Sequence, residues 1–436
     1  MFVYTRRGSE LYIEEIKMTD LAERFGTPLH VFSETLMRSH FAEIKRDFIE
    51  KYSAYNGEGR PGAIAAYAGK AFLPKAMCRL VDEEGFGLDV VSAGEYYTAI
   101  SSGFPAERIY YHGNNKSYTE LGGAIEAGVG RIVVDGLGEL DTVIGIAAKY
   151  GKKQAVLFRI TPEVNADTHS HIMTGARDSK FGVPMDEDII YPLIEKAICD
   201  PNVDFKGLHF HIGSQILDNI PYINAVDKAL ELHRETHNRF SYSIEELIIG
   251  GGFGIRYTKE EKRKPYSYYL DPIMKRIQDF CNEHGIVPPD VGIEPGRSIV
   301  GDAGVTLYTV GSIKQVPGGT KFVSVDGGMN ENIRPALYGA KYEAMVANRA
   351  DEEALEKVTI CGKLCETGDT IIEDTEIARA ESGDILCVFS TGAYGFSMAN
   401  NYNKTPKPAV VFVSGKEARE VVRRQTIESM IADEVI

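Results

Sequence analysis

Lys70 is the residue whose setting most clearly suggests covalent chemistry. The apolar run AIAAYA at residues 63–68 predicts a buried strand, and it leads through Gly69 into this lysine. An ammonium group at the end of a buried strand is costly unless it is paired, deprotonated or covalently consumed. Small neighbours leave room for a flat ring, so the lysine is poised for Schiff-base chemistry. The alternative is a lysine that reaches solvent at the rim of a barrel.

A glycine run provides a candidate anion site. Residues 250–254 read GGGFG after an apolar run, so backbone N–H groups can converge where no Cβ blocks an anion. The run alone is weak evidence, but Arg297 follows the next predicted strand, which matches the common phosphate position of barrel enzymes. Ser214 can add a hydroxyl donor. Together these residues predict phosphate binding.

Glu294 and His211 are candidates for contact with an aromatic ring. Glu294 can accept a hydrogen bond from a protonated ring nitrogen, which would make a pyridine an electron sink. His211 can stack on that ring. His209 and His211 also form an H-x-H pair of the kind that binds metals, but no third ligand has suitable spacing, so no metal is predicted. A second pair, His169 and His171, lies in a polar loop that we interpret as a lid or barrel insertion.

The last third of the chain carries groups that can grip a substrate. Arg334 begins the run RPALY at residues 334–338 and can hold a carboxylate by two parallel hydrogen bonds, with a surface ion pair as the alternative. Cys365 lies beside Glu366 in a glycine-bounded loop, which can also be a turn with an incidental thiol. Tyr394 lies in another glycine-bounded loop.

The elements that must position these residues form an α/β pattern followed by a β-rich one. Eight strand and helix units within about 260 residues are typical of a closed parallel barrel, although an open doubly wound sheet shows the same alternation. Polar residues after most strands favour the barrel. Strands are predicted at residues 63–68, 86–91, 108–112, 131–135, 154–160, 205–211, 246–249 and 290–293, and helices at 34–51, 93–101, 118–127, 137–149 and 222–237.

Two domains follow from this pattern. We predict a (β/α)8 TIM barrel at residues 34–302. After it the pattern changes to strands with Gly-rich turns, which predicts a second β-rich domain, a β-barrel or sandwich, at residues 303–436. Residues 1–33 join that domain, because their β-type runs have no helical partner of their own.

Composition limits the function classes. The 436 residues are 43% hydrophobic and 25% charged with a net charge of -15, which indicates a globular protein and argues against nucleic acid or an anionic membrane as partner. The six cysteines show no C-x-x-C pair, so neither a disulfide framework nor a zinc site is predicted. No signal peptide or membrane span is evident, and a cytoplasmic location is predicted.

The motifs and their order resemble the pyridoxal-phosphate-dependent decarboxylases of the alanine racemase-like fold, most closely those that act on diaminopimelate. Single motifs are weak evidence, but their shared order is specific and covers nearly the entire chain. The motifs are YAGKAF at residues 67–72, HxxTG at 171–175 (where x is any residue), SKFG at 179–182, GLHFHIGSQ at 207–215, GGGFG at 250–254, EPGR at 294–297, CE at 365–366 and NYN at 401–403.

The resemblance implies a cofactor, pyridoxal 5'-phosphate, and roles for individual residues. It implies that Lys70 forms the internal aldimine, that His211 lies against the ring and that Glu294 holds the pyridine nitrogen. These three residues and Cys365, our hypothesised proton donor, are the predicted catalytic residues. The remaining predicted cofactor contacts are Ser214, Gly252, Pro295, Gly296, Arg297 and Tyr394, and the predicted substrate contacts are Arg297, Arg334, Tyr338, Glu366 and Tyr394.

The resemblance also implies a homodimer with shared sites, in which Cys365 and Glu366 come from the partner subunit and the β-rich domain contributes substrate and dimer contacts. The implied reaction is decarboxylation of meso-2,6-diaminopimelate to L-lysine and carbon dioxide, the last step of lysine biosynthesis. Arg334 with Glu366 favours a substrate that carries a carboxylate and an ammonium at its far end. Alternatives are a decarboxylase of ornithine, arginine or carboxynorspermidine, and a non-catalytic homologue that binds the cofactor. A racemase fits less well, because such enzymes resemble this pattern except for an arginine where this chain has Glu294.

Overall fold

The computed structural model describes residues 3–57, 59–164 and 179–436. The predicted lid with His169 and His171, and the motif at residues 171–175, lie outside the described residues. The chain forms two compact units. One comprises Met1–His40, Ile255–Lys262 and Arg297–Ile436, and the other comprises Phe41–Gly254 and Arg263–Gly296. The predicted domain boundaries, after residues 33 and 302, stay a prediction.

The N-terminal segment is built from short strands and two helices. Strands β1, β2 and β3 form a small antiparallel sheet. The helix predicted at residues 34–51 is α-helical at first and then continues as the π-helical segment Lys45–Glu50. The elements are β1 (Tyr4–Arg7), β2 (Glu10–Ile13), β3 (Ile16–Lys17), α1 (Met18–Phe25), β4 (Leu29–Ser33) and α2 (Glu34–Ile44).

The predicted parallel barrel is confirmed. Eight strands pair in parallel and close on themselves in the order β10-β11-β12-β5-β6-β7-β8-β9. The strands are β5 (Ala63–Ala68), β6 (Gly87–Val90), β7 (Ile109–Tyr111), β8 (Arg131–Val134), β9 (Gln154–Arg159), β10 (Val203–His209), β11 (Glu246–Ile248) and β12 (Asp290–Ile293). The helices are α3 (Lys75–Glu83), α4 (Ala93–Ser101), α5 (Tyr118–Ala127), α6 (Leu137–Tyr150), α7 (Glu187–Cys199), α8 (Ile220–Phe240) and α9 (Tyr266–His284).

Side chains from different strands pack against one another in this unit. Tyr110 of β7, Val133 of β8, Leu157 of β9 and Ile248 of β11 belong to one buried cluster. Gly292 of β12 makes room for Ile248, since a Cβ at that position would lie 2.2 Å from its Cδ1. Parallel strands bring their carboxyl ends to one rim, where barrel enzymes carry their chemistry.

The other unit contains a β-rich sheet, as predicted. Its nine strands include the path β17-β16-β14-β13-β4-β19-β20, while β18 pairs with β13 and β15. The N-terminal strand β4 lies between β13 and β19, which confirms that residues before the barrel join this sheet. The elements are α10 (Arg297–Val300), β13 (Gly304–Gln315), β14 (Lys321–Val325), α11 (Arg334–Tyr338), β15 (Ala344–Val346), β16 (Glu356–Cys361), β17 (Thr370–Ile377), β18 (Ile385–Val388), β19 (Ala409–Ser414), β20 (Glu417–Val422) and α12 (Ile427–Met430).

The helices of the described residues were also compared with the requirements for crossing a bilayer. None of them combines sufficient length with sufficient apolar character to do so.

Candidate active site

Glu294 lies at the centre of a buried polar cluster. It directly follows β12, and its side chain is only 6% exposed. Its Oε1 lies 2.8 Å from Nε2 of His112, which directly follows β7, and its Oε2 lies 3.0 Å from Nε2 of His209 at the end of β10. Asp89 of β6 lies 3.8 Å from the same nitrogen of His112. The barrel therefore gathers residues from three other strands, β6, β7 and β10, near the carboxylate that follows β12.

The charges of this cluster depend on burial and on neighbouring groups. Burial by itself raises the pKa of Glu294, but the imidazoles of His112 and His209 outweigh it and lower that pKa well below its usual value. Glu294 is therefore ionised at neutral pH. Burial lowers the pKa of His209 to about 4, so this imidazole is neutral. Burial is also the main cause of the raised pKa of Asp89.

Lys70 lies just beyond the end of β5 in a short 3-10 turn, Gly69–Ala71. The sequence predicts a costly buried ammonium, but the side chain of Lys70 is exposed. The reason is that the strand ends at Ala68 and the turn places the lysine beyond it. The hydroxyl of Tyr67 donates to the carbonyl of Phe72 at 2.8 Å and braces this turn. The lysine is thus held by its backbone and not by burial.

His211 is set by the glycine run that follows β11. Its Nδ1 accepts a hydrogen bond from the backbone N–H of Gly251 at 3.3 Å. Burial, followed by the charges of Lys70 and Arg159, lowers the pKa of His211 well below its usual value. A neutral imidazole that accepts at Nδ1 carries its proton on Nε2. The charge of Lys70 thus acts on the imidazole of His211.

The glycine run packs too closely for any side chain. A Cβ on Gly252 would lie 2.3 Å from the carbonyl oxygen of Gly213, and Gly252 has a φ of +93°. A Cβ on Gly251 would lie 2.0 Å from the carbonyl oxygen of Glu294. Within the described chain, the N–H groups of Gly213 and Gly252 donate to no acceptor. Such a pair of backbone donors is suited to bind an anion.

Pro295 and Gly296 join the end of β12 to the turn that carries Lys70. The carbonyl of Pro295 accepts a hydrogen bond from the N–H of Ala68 at 3.1 Å. A Cβ on Gly296 would lie 3.0 Å from the Cβ of Ala68. Ser214, also predicted to bind phosphate, is in the loop after β10. The barrel unit thus contains seven predicted site residues: Lys70, His211, Ser214, Gly252, Glu294, Pro295 and Gly296.

The other unit brings two predicted arginines to one tyrosine. Arg297 and Arg334 are both buried, and both donate to the hydroxyl of Tyr257, Arg334 at 3.1 Å. Arg334 also donates to the hydroxyl of Tyr342. The guanidinium of Arg297 lies 4.9 Å from the ring centre of Tyr394. These contacts unite Arg297, Arg334 and Tyr394, three of the predicted site residues.

Cys365 and Glu366 lie apart from these arginines in sequence, on an exposed loop between β16 and β17. The N–H of Cys365 donates to Oδ1 of Asn403 at 2.7 Å, and the hydroxyl of Tyr402 donates to Glu366 at 3.3 Å. The buried Asp369 holds the loop by accepting hydrogen bonds from backbone N–H groups, including that of Leu364 at 2.8 Å. The predicted NYN motif therefore supports this loop. Tyr338 ends α11.

Comparison with known proteins places this geometry in a family. Residues 42–301 match the family model described as pyridoxal-dependent decarboxylase, pyridoxal binding domain. The diaminopimelate decarboxylase of Bacillus subtilis (strain 168) is 47% identical over 94% of this chain and 92% of its own length. That of Staphylococcus aureus (strain COL) is 41% identical over 100% of both. The chain belongs to the diaminopimelate decarboxylases.

A solved structure supports the same family membership. The diaminopimelate decarboxylase of M. jannaschii in co-complex with L-lysine matches with a TM-score of 0.92 and 35% identity. The alignment covers 100% of this chain and 98% of that one. The fold predicted from the sequence is therefore the fold of this family of decarboxylases.

Sequence reasoning missed several residues of this family member's site. No role was predicted for His112 or Asp89, and His209 was considered only as one half of an H-x-H pair. The structure brings polar atoms of His112, His209 and Glu294 within 4.8 Å of one another, and the absence of a metal there stays a prediction. Their contact distances of 2.8 and 3.0 Å are those of ion pairs and hydrogen bonds. Tyr257 was also missed, and its only sequence signal was its place shortly after the glycine run.

Proposed function

We propose that this chain decarboxylates meso-2,6-diaminopimelate at its D-centre, giving L-lysine and carbon dioxide with pyridoxal 5'-phosphate as cofactor. The observation that carries this proposal is the environment of the Arg334 guanidinium. Its guanidinium is buried, its partners Tyr257 and Tyr342 are uncharged phenols, and it makes no ion pair within the described parts of the chain. A buried cation of this kind is suited to a substrate carboxylate.

The barrel residues fit the cofactor. The close-packed glycines and their N–H groups suit a phosphate, and the ionised Glu294 suits a protonated pyridine nitrogen. Lys70 offers an amine for attachment at the end of β5. When bound, pyridoxal phosphate supplies an electron sink for the electron pair that the departing carboxyl group leaves behind. The residues that would hold it are Lys70, His211, Ser214, Gly252, Glu294, Pro295, Gly296, Arg297 and Tyr394.

The chain's own groups determine binding and protonation. Glu294 holds a proton at the ring nitrogen because a carboxylate stabilises a neighbouring cation. Arg297, Arg334, Tyr338 and Tyr394 are proposed to orient the substrate through its carboxylates. Glu366 is proposed to meet the distal ammonium, and the thiol of Cys365 to deliver a proton to the carbon that has lost its carboxyl group.

We further propose a homodimer in which Cys365 and Glu366 act in the site of the partner subunit. Both side chains are exposed on the single chain, and the loop that carries them is braced by Asp369 and Asn403. A rigid exposed loop is suited to completing a second site. The cytoplasmic location stays a prediction.

Substrate profiling tests the proposed reaction. We expect the purified protein to release carbon dioxide from meso-diaminopimelate, and more slowly or not at all from ornithine and arginine. Arg334→Gln should lower kcat/KM for meso-diaminopimelate by roughly 30-fold or more, because a buried charge pair loses one partner. It should change the value for ornithine little. Arg423→Gln, which alters an exposed arginine, is the control. Faster turnover of ornithine than of meso-diaminopimelate by the wild type would overturn the proposal.

A further inference from the structure

Two histidines each contact one oxygen of Glu294, and the surroundings of the two imidazoles differ. We propose that His112 and His209 are positioning residues with separate duties: His112 is a fixed cation that keeps Glu294 charged, and His209 is a neutral donor that fixes its direction. The target of the carboxylate is the ring nitrogen of the cofactor. The inference rests on the proposed function only in taking that cofactor to be pyridoxal phosphate.

The surroundings of His112 favour its cationic form. Its Nε2 lies 2.8 Å from Oε1 of Glu294 and 3.8 Å from Oδ1 of Asp89. All three side chains are buried, so the attraction of the imidazolium to each carboxyl group is weakly screened. Burial by itself lowers the pKa of His112, but the two carboxyl groups outweigh it and raise that pKa above its usual value. The imidazolium therefore balances the charge of Glu294.

His209 remains neutral because burial lowers its pKa, and the charge of the neighbouring His112 lowers that pKa further. The ring centres of His112 and His209 lie 4.7 Å apart, a distance at which two buried positive charges repel. A carboxylate accepts hydrogen bonds and cannot donate them, so the 3.0 Å contact requires the proton of His209 to lie on Nε2. This donor fixes the second oxygen of Glu294.

Other charged groups also face this cluster from neighbouring strands. Arg159 from β9 disfavours a proton on both His112 and His209. Lys70 after β5 acts on Asp89, and His211 after β10 is affected by both Glu294 and His209. Among the described residues, several cations thus surround the cluster, and Glu294 is the one carboxylate in contact with both imidazoles. Glu294 is the group whose charge His112 controls and whose direction His209 fixes.

This arrangement leaves Glu294 able to bind a ring nitrogen. An ionised carboxylate has about four acceptor positions, of which the hydrogen bond with His209 uses one, while His112 lies against the other oxygen as an ion pair. Without the cation, burial would favour protonated Glu294, and a neutral acid attracts a pyridinium only weakly. Without the neutral donor, the carboxylate would keep its charge and lose a constraint on its direction. Replacing His112 and replacing His209 should therefore have different effects on how Glu294 binds the ring nitrogen.

The test compares two cofactors that differ only at the ring nitrogen. Full-length protein stripped of cofactor is titrated with pyridoxal phosphate and with its 1-deaza analogue, in which carbon replaces that nitrogen, and the ratio of the two dissociation constants is measured without substrate. The wild type should prefer pyridoxal phosphate by roughly 10- to 100-fold, as expected for one charge-assisted hydrogen bond. His112→Gln keeps a donor and loses the charge, so this preference should fall roughly tenfold.

His209 offers the matched comparison. His209→Gln retains a neutral N–H donor and should keep the preference, whereas His209→Leu removes the donor and should reduce it severalfold. His233→Gln is the control, because His233 is a buried histidine of α8 that hydrogen-bonds to the carbonyl of Val287 at 3.1 Å. Circular dichroism and the thermal midpoint establish that each variant is folded. If His112→Gln does not fold, Asp89→Asn removes one of the two carboxyl groups that favour the cation and should also lower the preference.

Two results would overturn the inference. One is an equal loss of affinity for both cofactors in His112→Gln, which would mean that the residue only supports the fold. The other is a loss in His209→Gln as large as in His209→Leu, which would remove the neutral-donor role. A wild type that binds pyridoxal phosphate with the expected preference but releases no carbon dioxide from diaminopimelate would instead contradict the proposed function alone.

Discussion

Glu331 shows what happens to a buried carboxyl group that lacks the histidines of Glu294. It is fully buried in the β-rich unit and accepts a hydrogen bond from the N–H of Gly328 at 2.5 Å. Burial raises its pKa to about 8, whereas the pKa of Glu294 is lowered. The two glutamates are almost equally buried, so neighbouring charges decide between them.

This contrast gives a prediction for Glu331→Gln. The folded-state pKa of Glu331 lies above the unfolded value of 4.5, so the wild type loses stability as the pH rises from about 4.5 to about 8. Glutamine resembles the protonated acid and avoids this loss. The variant should match the wild type near pH 4.5 and exceed its free energy of unfolding by about 1 to 4 kcal/mol near pH 8.5. Urea unfolding at both pH values measures the difference.

Glu353→Gln is the control for this prediction, since Glu353 is exposed. It should change the pH dependence of unfolding little, because an exposed carboxyl group has similar surroundings in the folded and unfolded states. An alkaline gain in Glu353→Gln equal to that in Glu331→Gln would contradict the explanation by burial.

The glycine run is the element whose backbone most directly limits substitution. Gly252→Ala would place a Cβ 2.3 Å from a carbonyl oxygen at a φ of +93°. The backbone must move, so we expect affinity for pyridoxal phosphate to fall at least tenfold, with a loss of stability of about 1 to 3 kcal/mol. Equilibrium dialysis and urea unfolding measure these effects.

Gly123→Ala is the matched control for the glycine run. Gly123 lies within α5 and has no heavy atom within 4 Å of the added Cβ. The substitution should leave cofactor affinity unchanged and add about 0.5 to 1 kcal/mol of stability, because alanine favours helices. Equal effects at the two glycines would mean that the close approach at Gly252 is unimportant.

The elements of the barrel could largely be predicted from the sequence, while their contacts could not. Strand β5 and helices α4 and α5 have the predicted bounds, because apolar runs and helical spacing are local signals. The meeting of His112, His209 and Glu294 joins β7, β10 and β12, and depends on barrel closure and register. The spacing of His112, His209 and Glu294 in the sequence does not determine the distances between their side chains. The sequence predicted that residues 1–33 join the β-rich domain, but it did not predict which strands lie beside β4.

At the scale of the whole molecule, several buried histidines should make the protein sensitive to acid. Burial lowers the pKa of His30 to about 3 and of His209 and His233 to about 4, from 6.5. Below pH 6.5 the unfolded chain therefore binds protons that the folded chain excludes. The free energy of unfolding thus decreases as the pH is lowered. His112 adds nothing here, because its raised pKa leaves it protonated in both states.

Each of these three histidines should contribute a slope of about 1.4 kcal/mol per pH unit between about pH 6 and 4. Urea unfolding at several pH values measures the total slope. His233→Gln should reduce it by one histidine's share, so the stability of the variant relative to the wild type should be higher at pH 5 than near pH 7.5. A free energy of unfolding that is constant between pH 7 and 5 would contradict this prediction.

The proposed dimer can be tested by subunit complementation. Chains carrying Lys70→Ala and chains carrying Cys365→Ala should each be nearly inactive, because each lacks one predicted catalytic group. If one site uses Lys70 of one chain and Cys365 of the other, mixing equal amounts under exchange conditions should restore about a quarter of wild-type activity, since half of the dimers are mixed and each has one intact site. Recovery should be absent when both chains carry Lys70→Ala. No recovery in the mixture would oppose shared sites.

The two compact units are not consecutive pieces of sequence. The chain passes between them after His40, Gly254, Lys262 and Gly296, and two of these passages directly follow the glycine run and the segment beginning with Glu294. A fragment that contains the whole barrel unit would therefore also include residues 255–262, with Tyr257, but not the rest of the unit to which these residues belong. Exchange of one whole unit between homologous proteins would have to join the chains directly beside the glycine run at residues 250–254. We therefore expect the two units to be inherited together, and protein engineering should treat them together.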